Sequence, residues 1–136
     1  MTTAPTQRVS RLMTPRSLIT TDWIAGATAG VLMLALHPWL SEWYALPQSL
    51  LLCIAAANLG YAMVSFTIAR RARGANVPGL RVMAVANMAW GGVCIALGVR
   101  WFDAASVWGL AQLFGEAMLV GGLGVVEWHV SSSADA

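Results

Sequence analysis

Residues 110–128 read LAQLFGEAMLVGGLGVVEW, an apolar, glycine-dotted run with a carboxylate, Glu116, near its middle. The hydrocarbon layer of a bilayer is about 30 Å thick, and about 20 helical residues rising about 1.5 Å each will cross it. A charged group at that depth costs at least about 2.5 kcal/mol on the most lenient insertion scales, so the surroundings have to satisfy it. The remainder of the chain supplies those surroundings.

Three more apolar runs precede this one, at 23–40, 50–69 and 80–99. Helix is the expected spanning state. An unclosed strand would leave backbone groups unpaired in lipid, and no two-residue alternation points to a barrel. The boundary signals are local. Thr21 or Asp22 can cap the first helix, and Pro38 disfavours helical geometry in His37 before it. The second run follows Pro47 and stops at Arg70, Arg71 and Arg73, with Gly74, Pro78 and Gly79 as the turn. The third lies between Arg81 and Arg100. The sequence therefore predicts an all-α fold, with helices at about 21–38, 48–71, 79–100 and 105–129. Their short connections predict an antiparallel four-transmembrane-helix bundle. It forms one membrane domain, 18–130, after a flexible basic arm at 1–17 and before a disordered tail at 131–136.

Composition agrees. Hydrophobic residues make up 58% of the chain and charged residues 10%, against about 25% charged in soluble domains. The net charge of +2 hides an asymmetry, for all basic residues are arginine. Arg8, Arg11, Arg16, Arg70, Arg71, Arg73 and Arg81 flank one side of the four runs, and Arg100 alone flanks the other. By the positive-inside rule both termini are expected in the cytoplasm. These arginines border membrane runs and sit on no soluble scaffold, so no nucleic-acid partner is expected; the lipid bilayer is. Trp39, Trp43, Trp101 and Trp108 mark one interface, and Trp23 and Trp128 the other. Cys53 and Cys94 lie inside apolar runs without zinc-type spacing, and neither a metal nor a cofactor is expected.

The informative residues are polar groups too deep to reach an interface. Asn58, Asn87 and Glu116 are spaced 29 residues apart, and the contexts Ala57-Asn58-Leu59-Gly60-Tyr61 and Ala86-Asn87-Met88-Ala89-Trp90 echo each other. Equal spacing predicts one polar layer, with Asn58 and Asn87 donating amides to Glu116. Tyr61, Gln112 and Trp90 fall within a turn of these residues on the same helix faces and complete the candidate ligand or proton site. Asp22, Glu127 and Arg81 share a shallower level and read as an interfacial ion-pair group. Gly26 and Gly30 form a GxxxG pair, which lets helix backbones approach closely.

No motif names a reaction: the chain lacks HExxH, a nucleophile elbow and a phosphate-cradling loop. The A-N-L-x-Y run at 57–61, the A-N-x-x-W run at 86–90 and the V-G-G-L-G-V-V-E-W ending at 120–128 resemble a family of small bacterial four-helix integral membrane proteins. That resemblance implies the fold and a multi-pass place in the bacterial inner (plasma) membrane, without an activity. The expected function is a membrane binding or accessory subunit, with a polar mid-membrane site for an apolar or amphipathic ligand or a partner. Its company would be a homo-oligomer or a larger membrane complex. One alternative is a proton-coupled small transporter or channel subunit acting as an oligomer. The other is a membrane-embedded enzyme using Glu116 as acid or base, weakened by the lack of a partner group.

Overall fold

A computed structural model describes residues 15–71 and 77–133. Among them the chain forms four helices: α1 (Pro15–Tyr44), α2 (Gln48–Arg71), α3 (Val77–Arg100) and α4 (Val107–Ser133). All four are long and apolar enough to cross a membrane, which makes this an all-helical, multi-pass type of membrane protein. Between 22% and 33% of each span's apolar window is buried inside the chain. Most of each helix thus turns apolar side chains outward, as with Met63, Met118 and Leu119. Water would not tolerate such a surface, and hydrocarbon does.

The first helix differs from expectation at both ends. It begins at Pro15, a residue suited to a first helical turn because its missing N–H has no partner there anyway. Asp22 therefore lies two turns inside the helix, buried, and caps nothing. At the other end α1 runs through Pro38. The proline ring removes the bond that the Leu34 carbonyl would have accepted. The His37 Nδ1 sits 2.8 Å from that carbonyl and, as the N–H tautomer, donates to it. The helix stops instead at Ala45, whose φ of 51° is left-handed. There Leu46 N–H donates to Ser41 O at 3.2 Å and Ala45 N–H to Glu42 O at 3.4 Å, a Schellman end, and Pro47 prevents resumption. Of the expected flexible arm, 15–17 belong to α1 and 1–14 lie outside the described residues. Likewise α4 continues through Ser133, into the expected tail, and 134–136 lie outside.

Helix α1 packs mainly on α2, and α3 on α4; α1 also touches α4 and, slightly, α3. The GxxxG pair is used within the chain. A Cβ on Gly30 would fall 2.7 Å from Leu59 Cγ, and one on Gly26 would meet the Asn58 carbonyl and Ala62 of α2. Between α3 and α4 the backbones come closer still: Gly91 lies against Ala117 O and Gly121 Cα, and Gly124 against Ala84 O. A Cβ on Gly124 would sit 2.7 Å from that carbonyl, whereas one on Gly122 would meet nothing within 4 Å. Gly124→Ala is therefore expected to cost about 1–3 kcal/mol by overpacking. Gly122→Ala is expected to gain about 0.5–1 kcal/mol from helix propensity. Unfolding in mixed detergent micelles checks both signs.

Two apolar clusters bracket the interior. Met33, Leu40, Leu46, Leu51, Ile54, Ala55 and Leu113 fill one end, and Leu18, Ile19, Leu80 and Met83 the other. The buried polar side chains Asp22, Asn58, Ser65, Asn87, Glu127 and Ser131 lie with them in the interior. Both cysteines are free, Cys53 exposed and Cys94 buried.

Candidate functional site

Glu116 faces the interior from α4 and is half-buried. Three N–H donors reach its two oxygens. On Oε1 they are Trp90 Nε1 of α3 at 2.8 Å and Asn58 Nδ2 of α2 at 3.2 Å. On Oε2 it is Gln112 Nε2 at 3.2 Å, one turn earlier on α4. Trp90 is the unambiguous member, because an indole has a donor and no acceptor. As they stand all three groups donate, and the indole in particular requires an acceptor oxygen on Glu116.

Asn87 is absent from this set. It joins a second group, where its Nδ2 donates to Glu127 Oε2 at 2.9 Å and makes a long 3.5 Å contact to Asp22 Oδ1. Tyr61, expected beside Glu116, instead donates its hydroxyl to Asp22 Oδ2. The expected single layer is thus two groups. One holds Glu116, Asn58, Trp90 and Gln112; the other holds Asp22, Tyr61, Asn87 and Glu127.

The second group is deeper in protein than an interfacial ion pair would be. Asp22 is 4% exposed, Asn87 1% and Glu127 0%. Among the described residues, the hydrogen-bond partners of the two carboxylates are an amide and a phenol. Arg81, expected with them, is half-buried on α3, six residues before Asn87. Among the described residues, two buried oxygens have no hydrogen-bond partner, Glu127 Oε1 and Ser65 Oγ. Ser65, like Asn58 and Tyr61, sits on the inward face of α2.

Two lateral grooves flank these groups. Between α1 and α4 lies one of about 470 Å³, whose polar lining is Asp22, Asn58, Tyr61, Gln112 and Glu116. Its walls are small or aliphatic: Ala25, Gly26 and Ala29 on α1 face Ala111, Gly115 and Leu119 on α4. The smaller groove, about 250 Å³, opens between α2 and α3 beside Asn58, Tyr61 and Trp90. A volume of about 300–1,000 Å³ with a few convergent polar groups is typical of small-molecule sites, and the α1–α4 groove meets that description. Among the described residues, no three His, Cys, Asp or Glu side chains are grouped as a bound metal would require. Compared with models of known protein families, with curated proteins and with solved structures, the chain matches none.

Proposed function

We propose that this protein is an antiparallel four-helix binding or accessory subunit of the bacterial inner membrane, with both termini in the cytoplasm. Its α1–α4 groove receives an apolar or amphipathic molecule, and Glu116 is the polar anchor. The observation that carries the reading is the convergence of three N–H donors on a carboxylate lining a groove with small-residue walls. Building one ordered acceptor from three helices has a cost in lipid, and ligand recognition would account for it. The arginine asymmetry supports the orientation, and the reversed order of the α3–α4 contacts (Gly98 by Phe114, Gly91 by Gly121, Gly124 by Ala84) supports the antiparallel arrangement.

Gly115 lines the groove, and a Cβ placed on it would meet nothing within 4 Å, so the side chain of Gly115→Leu starts from open space beside the groove. Native mass spectrometry from mild detergent should find a small-molecule adduct on the wild type and lose it in Gly115→Leu. A stoichiometric protein partner with no such adduct would contradict ligand binding and leave the accessory role.

A proton-coupled transporter is a second reading, favoured by the buried pair Asp22 and Glu127 and the unpartnered Glu127 Oε1. Intramembrane carboxylates of this kind serve as proton relays. Proton flux in liposomes that disappears in Glu127→Gln would support it, and equal flux in both would end it.

A further inference from the structure

Resting on the groove reading above, we propose that the ligand of the α1–α4 groove is an amphipathic cation: a compact apolar body carrying an amine or ammonium that pairs with Glu116. Glu116 Oε1 already accepts two hydrogen bonds, from Trp90 and Asn58, whereas Oε2 accepts one, from Gln112. A carboxylate oxygen has room for two, so Oε2 keeps an open acceptor direction on a half-buried residue that lines the groove. The three donors are neutral and disperse the negative charge without cancelling it. Among the described residues, none that lines the groove is basic. A group that brings both an N–H and a positive charge completes the site; an alcohol brings only the first, and a carboxylate is repelled.

Asp22 lines the same groove yet is not an equivalent anchor. It is 4% exposed, against a half-buried Glu116, and one of its oxygens holds the Tyr61 hydroxyl. Depth narrows the class further. Glu116 lies nine residues beyond the start of α4, about 14 Å along the helix axis. A phospholipid headgroup tied to the interface would not reach that depth. A lipophilic amine, able to enter sideways from hydrocarbon, would.

The test uses the full chain in phosphatidylcholine nanodiscs and three labelled probes of one shape: 2-naphthylethylamine, 2-naphthylethanol and 2-naphthylacetate. Protein-free discs set the background partition. The expected result is saturable binding of the amine, with the alcohol about tenfold weaker or more, since a charge-assisted hydrogen bond separates them. The acetate should stay at background. Glu116→Gln should bring the amine down to the level of the alcohol, and Gly115→Leu should remove saturable binding of both. Equal wild-type affinities for amine and alcohol, or an amine preference surviving in Glu116→Gln, would overturn the cation while leaving a Gly115-dependent groove intact. If no probe saturates but native mass spectrometry still finds a Gly115-dependent adduct, the cation inference fails alone. If neither is seen, both readings fail.

Discussion

Asn87→Leu is expected to destabilise the folded protein by roughly 3 kcal/mol, because two buried carboxylates lose a donor at about 1–3 kcal/mol each. Glu127 is the more exposed to this loss in the energetic sense. Asn87 is its one hydrogen-bond partner among the described residues, and its Oε1 already has none. Interhelical hydrogen bonds in lipid average only about 0.6 kcal/mol, because chains unfolded within the membrane find other partners. That average concerns bonds between groups that can re-pair. Here the amide disappears and the carboxylates remain. The double variant Asn87→Leu with Glu127→Leu separates the two accounts: removing both partners should restore Glu127's share of the loss, while Asp22 still lacks the Asn87 amide. Unfolding in bicelles measures all three proteins. A cost near 0.6 kcal/mol in the single variant, with no recovery in the double, would show that the buried bridge matters little.

The second large effect is a sign test at Glu116. Glu116→Lys should abolish a monodisperse folded species, while Glu116→Gln should leave one. An ammonium is donor-only, and it would face three N–H groups. Asn58 and Gln112 can rotate their amides to offer an oxygen, but the Trp90 indole at 2.8 Å cannot. The ammonium would then sit in a half-buried site against the Trp90 N–H, with both amides forced to turn. A glutamine instead keeps an acceptor oxygen for Trp90 and Asn58. Adding Trp90→Phe to Glu116→Lys should recover part of the folded yield on size-exclusion chromatography. Equal profiles for Glu116→Lys and Glu116→Gln would mean that the donors do not converge there.

These effects rest on residues of uneven visibility in the sequence. The four helices were legible because length and apolarity suffice for a span, and boundaries at 48, 71 and 100 follow from Pro47 and the arginines. The first helix was misread at both ends for one reason: local signals were weighed without their compensations. Pro38 would break a helix whose freed carbonyl stayed orphaned, and His37 beside it supplies the missing donor. Asp22 reads as a cap only if Leu18 and Ile19 before it are outside the helix, yet they are buried at 4% and 1%.

The polar site was half legible. Asn58 lies ten residues beyond the start of α2 and Glu116 nine beyond the start of α4. Both helices start at one end of the bundle, where Ser106, just before α4, bonds Tyr44 O at 2.9 Å. Equal count is equal depth for that pair, and they meet. Asn87 lies ten residues beyond the start of α3, but in the proposed antiparallel arrangement it counts from the opposite end. The regular spacing of 29 therefore places it in the other group, with Glu127 and Asp22. Trp90, one turn further along, comes level with Glu116 in its stead. Chain spacing reports depth only for helices that run the same way.

Glu116 points inward and accepts a hydrogen bond from Trp90, and the indole N–H of Trp90 reports on that bond directly. In a ¹⁵N-labelled sample in nanodiscs, the seven tryptophans give seven indole resonances, assigned by single Trp→Phe variants. The account predicts a downfield, slowly exchanging Trp90 signal that moves strongly upfield in Glu116→Leu while distant indoles such as Trp39 and Trp128 stay in place. A Trp90 resonance that exchanges quickly and ignores Glu116→Leu would contradict it.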